Sequence, residues 1–152
     1  LSPKISFFQD IDLETIAFFC LGNRDRSDDA VGLIIADKLA KVYPKNVFSE
    51  DLEDISTFLV DVIEKDIYEH IVIIDAVDFN AIPGSILITS DISNEIRPIT
   101  THTIPISQIK EIVKTQNKHF TLVGIQIKSV KFMGEISKEV LRASTDVVDL
   151  LS

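Results

Sequence analysis

Hydrophobic positions along this chain follow two different rhythms. Unbroken apolar runs occupy residues 16–21 and 71–74, ended by Gly22 and Asp75. Short continuous runs of this kind mark strands buried on both faces. Residues 120–127 read as a further strand, with Gly124 allowing close backbone approach. Briefer strands are expected around Val47 and Phe48, and over residues 85–89 after a Pro83-Gly84 turn. Between the strands the period lengthens. Val31, Ile34, Ile35, Leu39 and Val42 recur near the helical repeat, so a helix is predicted over residues 29–42, with Ser27 and Asp28 offering N-cap oxygens and Pro44 stopping it. A second helix is marked by Phe58, Leu59, Val62 and Ile63 and starts near Ser56. A third runs from Pro105 through Ile109, Ile112 and Val113, and a fourth covers residues 137–151. Residues 1–14 show no period and read as a lead-in segment packed by Phe7 and Phe8. Strand and helix therefore alternate, which predicts a three-layer α/β/α sandwich with a twisted, mostly parallel sheet, in one domain spanning residues 1–152.

Composition narrows the function classes. Fifteen basic residues against 24 acidic ones leave a formal charge of −9. No basic stripe is present to follow a phosphate backbone, so nucleic acid is not an expected partner, and anionic membranes are disfavoured. No apolar stretch approaches the roughly 20 residues that span a bilayer, and the first residues lack a signal-peptide pattern, so the expected location is the cytoplasm. Cys20 is the only cysteine. It lies in an apolar run and is expected to be a buried structural thiol, which excludes an internal disulfide and a cysteine-based metal cage.

The chemistry is carried by three stations at which a strand gives way to a loop. The first is the segment from Gly22 to Gly32, GNRDRSDDAVG, which carries Asp28 and Asp29. The second is Asp75, at the end of the run 71–74. The third is the polar segment Thr100-Thr101-His102-Thr103. In open α/β sheets ligands gather outside the carboxyl ends of the strands. Two carboxylates and an imidazole brought together there make an open transition-metal site, because such a mixed oxygen and nitrogen set leaves coordination positions free. All three groups are expected to face one exposed cleft. Other chemistries fit poorly: the glycine turn lacks both phosphate-loop patterns, no GxSxG elbow exists, and the HExxH pattern of zinc peptidases is missing. Asp28 is expected to complement a helix dipole and Asp78 to serve a turn, with either free to assist catalysis. His70 and His119, each just before a strand, are expected at the surface.

Taken in order, Gly22-Asn23 followed by Asp28-Asp29 and Gly32, Ile74-Asp75-Ala76 leading to Pro83-Gly84, Thr100-Thr101-His102, and the strand Thr121 to Gln126 resemble the hydrogenase maturation endopeptidase family. The resemblance covers roughly residues 16–150. It implies an endopeptidase that removes a C-terminal peptide from the large-subunit precursor of a nickel–iron hydrogenase after nickel insertion. It also implies a phosphorylase/hydrolase-like mixed sheet of five strands, no nucleotide site, and a monomer. The family's metal contacts and catalytic positions fall on Asp29, Asp75 and His102. The implied metal is nickel supplied by the substrate, for which zinc or cadmium can substitute in vitro. The chain departs from the family after the second strand, where an acidic residue is usually followed by Gly-Gly-Thr. Here the sequence is Glu53-Asp54-Ile55-Ser56-Thr57, without glycine. That departure bears on peptide binding and keeps open an alternative, a non-catalytic nickel-checkpoint protein that retains the metal-sensing residues.

Overall fold

The first apolar run forms strand β1 (Ile16–Cys20), every residue of which is buried. In the computed structural model, which describes residues 11–100 and 102–152, the chain continues through α1 (Val31–Leu39), β2 (Val47–Ser49), α2 (Ile55–Lys65) and β3 (His70–Asp78). Strands β4 (Ile86–Thr89) and β5 (Arg97–Pro98), helix α3 (Ile106–Thr115), strand β6 (His119–Gln126) and helix α4 (Lys138–Leu151) complete it. The packing expected of Phe7 and Phe8 lies outside the described residues.

The sheet is mixed. Its five-strand path runs β2-β1-β3-β6-β4, and the two-residue β5 adds to the far end of β3. Strands β2, β1, β3 and β6 are parallel, whereas β4 and β5 run antiparallel to their neighbours. Strand β5 was not foreseen, because two residues ending in a proline carry no readable period.

Side chains alternate across the sheet and feed two cores. Ile16, Phe18 and Cys20 of β1 join Val31, Ile35 and Leu39 of α1 and Val140 and Val147 of α4. Ala17 and Phe19, with Leu21 just beyond them, join Ile55, Leu59 and Val62 of α2 and Ile109 and Val113 of α3. This is the period of two that a strand covered on both faces requires. Phe18 and Phe19 are fully enclosed, and truncating either to alanine would cost about 3–5 kcal/mol. Cys20 is buried and unpaired, and burial pushes its thiol far above the ordinary range, so it is not a nucleophile.

The connections place the functional edge. From β1 the chain crosses over α1 to β2 at one edge, then returns over α2, on the opposite face, to β3 on the other side of β1. The strand order therefore reverses between β1 and β3, and a crevice opens there at the carboxyl ends of parallel strands.

Two local expectations are corrected. The first helix does not begin at residue 29 with Ser27 and Asp28 as caps. Ser27–Ala30 forms a 3-10 turn, α1 follows from Val31, and neither side chain caps it. Ser27 Oγ donates instead to the Glu135 carbonyl at 2.6 Å. Gly32 is needed where α1 crosses the sheet, since a Cβ there would collide with the carbonyl oxygens of Leu21 and Ile74.

His70 is not at the surface. It is 4% exposed, and its Nε2 lies 2.8 Å from Thr121 Oγ1 on the adjacent strand. Burial first, and then the nearby His119, lower its pKa from 6.5 to about 4. A depressed folded-state value means that the neutral ring is the stable one. His70's contribution is therefore complete above pH 6.5 and lost as the pH falls towards 4, amounting to about 3 kcal/mol in all. An NMR titration should show this ring neutral until below pH 5, and a midpoint near 6.5 would contradict the burial argument.

Candidate active site at the reversal between β1 and β3

Asp75 lies within β3 rather than at its end. The strand continues to Asp78 because β6 pairs with it through Val77, whereas β1 has already stopped opposite Ile74. Asp75 thus emerges just where one neighbour ends. By the period of two it shares a face with Ile71 and Ile73, the face covered by α2 and α3. His102 arrives on that face from the segment before Pro105, the N-cap residue of α3. Its ring Nε2 lies 3.0 Å from Asp75 Oδ2, and its Nδ1 lies 2.9 Å from Glu50 Oε2.

Glu50 is the site residue that the sequence reading missed. It directly follows β2, and its backbone N–H donates to the Cys20 carbonyl at 3.0 Å, so a third parallel strand delivers a carboxylate to the same edge. The available signal was the apolar pair Val47-Phe48 running into Ser49-Glu50, the same strand-then-acid pattern as at Asp75. The acid after the second strand is therefore Glu50, and the glycine-free segment that begins at Glu53 is a helix start. Asp54 caps α2 by accepting from Ser56 N–H at 2.8 Å, and it receives the Thr103 hydroxyl at 2.6 Å, which ties the His102 segment to α2.

Asp29 reaches the site through the 3-10 turn after Gly22. Its carbonyl accepts from Asn23 N–H at 3.0 Å, and a Cβ at Gly22, whose φ is +149°, would strike that carbonyl. Glycine is required for this close approach. Asp29 Oδ2 accepts the Thr100 hydroxyl, and Arg26 Nη1 lies 3.7 Å from the same oxygen.

Asp28 and Asp78 are committed elsewhere, which removes both as catalytic assistants. The Asp28 carboxylate accepts from Lys128 N–H at 2.8 Å, Ser129 N–H at 2.9 Å, Ser137 N–H at 2.7 Å and the Ser137 hydroxyl at 2.8 Å. Asp78 binds Asn80 N–H, Gln126 and Arg97.

The three sequence-predicted residues are enclosed rather than exposed in a cleft. Asp29 and Asp75 are 0% exposed and His102 is 7% exposed. A cleft of about 450 Å³ opens in front of them, lined by Gly22, Arg24, Glu50, Thr100 and His102 among others. His102 and Glu50 line it, whereas Asp29 and Asp75 do not.

The electrostatics follow from this enclosure. Both ring nitrogens of His102 face carboxylates, which accept but cannot donate when ionised, so the ring is a doubly protonated imidazolium. Burial alone would drive its pKa down, but the bonds to Asp75 and Glu50 outweigh it and push the value up to about 10. Burial raises Asp75 to about 6 against the opposing pull of His102, and burial also raises Asp29. Three carboxylates thus surround one imidazolium.

Two oxygens in the site, Asp29 Oδ1 and Asp75 Oδ1, are buried without a hydrogen-bond partner. Such atoms are costly unless something polar or charged meets them. They suit a cation, as does the mixed donor set. Among the described residues, no three His, Cys, Asp or Glu side chains stand arranged to hold a metal ion as they are. For His102 to act as a ligand, its Nε2 must first give up the proton that it shares with Asp75.

Comparison with known proteins gives this site its context. A family model described as hydrogenase maturation protease matches residues 51–152. The endopeptidase HycI of Escherichia coli superposes with a TM-score of 0.74 at 26% identity, covering 89% of this chain and 87% of that one. The fold is shared with the NiFe hydrogenase maturation protease HycI of Thermococcus kodakarensis KOD1, with a TM-score of 0.74 at 21% identity over 91% of this chain and 90% of that one. A protein of Methanocaldococcus jannaschii, provisionally named a hydrogenase maturation protease, is 29% identical over 140 residues, 86% of this chain and 82% of its own length. An α/β sandwich with an acid-and-histidine site at its strand reversal is thus the scaffold of a peptidase. The chain belongs to the hydrogenase maturation protease family. Among the described residues no helix is long and apolar enough to cross a membrane.

Proposed function

We infer that this protein removes a C-terminal peptide from the nickel-loaded large-subunit precursor of a nickel–iron hydrogenase, and that Asp29, Asp75 and His102 are the groups that meet the nickel. The observation that carries this reading is the pair of buried, unpartnered carboxylate oxygens, Asp29 Oδ1 and Asp75 Oδ1, in the same charged cluster as His102. The nickel belongs to the substrate, and when present beside the scissile bond it supplies Lewis acidity towards a carbonyl or a water.

The chain's own residues do the remainder. Asp29 and Asp75 offer negative charge in an enclosed setting, where water screens it little. His102 holds a proton on Nε2 while the site is empty of cation, and this proton keeps Asp75 paired. His102 and Thr100 line the cleft and hydrogen-bond Asp75 and Asp29 behind them, so a cation that reaches Asp75 Oδ2 must displace its bond with His102. Asp54 and Thr103 anchor the His102 segment to α2 while this happens. The protein acts as a monomer, and zinc or cadmium can occupy the same groups.

The reading is tested by mixing the purified protein with precursor that carries nickel and with precursor that lacks it, then measuring precursor mass. Shortening of the nickel-loaded form alone is the expected result. Equal cutting of both forms would remove nickel sensing but leave proteolysis. Binding of loaded precursor without any change in mass would instead establish the non-catalytic checkpoint reading.

A further inference from the structure

Glu50 is held from both sides of the site. Its Oε1 accepts from Gly22 N–H at 3.0 Å and its Oε2 from His102 Nδ1 at 2.9 Å. Gly22 opens the turn that carries Asp29, so one carboxylate spans the Asp29 turn and the His102 segment. Its side chain is only 19% exposed, unlike an ordinary surface acid.

The two nitrogens of His102 have different surroundings. Nδ1 faces Glu50, both of whose oxygens are engaged. Nε2 faces Asp75 Oδ2, and the other oxygen of that carboxylate has no partner. A neutral imidazole that gives one nitrogen to a ligand keeps its proton on the other, and that proton needs an acceptor. Glu50 supplies an acceptor at Nδ1 that the cation does not need, whereas a proton left on Nε2 would compete with the cation for the Asp75 carboxylate.

We propose that Glu50 is a positioning residue: it grips His102 through Nδ1 and the Asp29 turn through Gly22, so that Nε2, together with Asp75, is the nitrogen presented to a divalent cation. The proposal rests on the cation site inferred above. Glu50 does not itself touch the cation. It fixes the tautomer and orientation of the histidine that does, as outer carboxylates do for metal-bound imidazoles, where their loss lowers affinity roughly 10–100-fold.

The test uses the full chain with labelled histidine nitrogens, titrated with cadmium and followed by NMR and calorimetry. In the cadmium-loaded wild type, Nε2 of His102 should carry the metal coupling and Nδ1 the proton. Glu50→Ala should weaken cadmium binding by roughly 10–100-fold and remove the protected Nδ1 proton. Glu50→Gln keeps one carbonyl acceptor of the same length, which can meet Nδ1 at the expense of Gly22 N–H, and should restore the tautomer and part of the affinity. A merely structural role would not move the tautomer, and Glu50→Gln keeps the test open if the alanine variant fails to fold. Metal coupling on Nδ1, or unchanged affinity and tautomer in Glu50→Ala, would overturn the proposal while leaving the cation site standing. Failure of the wild-type chain to bind cadmium at all would sink the cation site itself, and this proposal with it.

Discussion

Replacement of Asp29 by asparagine should abolish trimming of nickel-loaded precursor, by on the order of 10³-fold or more, while leaving the fold as stable as before. The two halves of this expectation have separate causes. Asparagine keeps an oxygen to accept the Thr100 hydroxyl and fills the same volume, so packing is preserved. It removes a charge whose burial outweighs the help of its long ion pair with Arg26 at 3.7 Å. Asp29 is fully buried, its pKa is raised by that burial, and its Oδ1 has no partner. A buried charge retained at a cost is evidence of use rather than of stability. Mass spectrometry of the precursor and a thermal melt of the variant test both halves together. A variant that still trims removes Asp29 from the site, and a large fall in stability would make the activity loss uninformative.

His102→Ala should lose the activity as well, but it is the less clean experiment. Enclosure makes His102 the counter-ion of two carboxylates, so its removal strands Asp75 in the interior with no partner. The variant should be destabilised near neutral pH and recover as the pH falls and Asp75 takes up a proton. The sequence suggested an exposed histidine in a polar segment whose removal would cost the fold little. The burial comes from Glu50 and Asp75, which lie 52 and 27 residues away in the chain.

What the sequence disclosed and withheld follows a physical line. Strands buried on both faces and helices with one apolar stripe are written in local periodicity, so β1, β3, β6 and all four helices were readable with their order. Register is not local. Asp75 read as a strand end because the apolar run stops there, whereas β3 continues to Asp78 through pairing with β6. The burial of His70 depends on its pairing with Thr121 across the same two strands, which nothing around residue 70 announces. Glu50 escaped because β2 is only three residues long, too short for its period to mark where it ends. Asp75, His102 and the Asp28-Asp29 pair stood out at three stations where a strand gives way to a loop, and the family resemblance selected Asp29 from the pair; in the structure they lie around one reversal in the sheet. Asp28 and Asp29 were separable in sequence only as neighbours of one another.

That neighbouring pair supports the second large effect. Asp28→Ala should destabilise the protein by about 3 kcal/mol, in contrast to the neutral outcome for Asp29→Asn. One fully buried carboxylate takes four hydrogen bonds between 2.7 and 2.9 Å from Lys128, Ser129 and Ser137, and the Asp28 backbone N–H adds a fifth to the Ser129 carbonyl at 3.0 Å. These residues begin and end the connection between β6 and α4, so Asp28 gathers a long irregular segment onto the 3-10 turn beneath the site. Removing the carboxylate leaves three backbone N–H groups without an acceptor. Each unsatisfied group costs roughly 1–3 kcal/mol when buried, and the part-exposed position of Ser129 and Ser137 lets water recover some of that. At roughly 2–4 °C per kcal/mol for a chain of this size, the melting temperature should fall by about 6–12 °C. Asp28→Asn, which retains one acceptor oxygen, should fall between alanine and wild type. A melt of Asp28→Ala within about 1 °C of wild type would show that the connection is held by its other contacts. Processing by folded Asp28→Ala should persist at reduced temperature, because this carboxylate faces the connection and not Asp75 or His102.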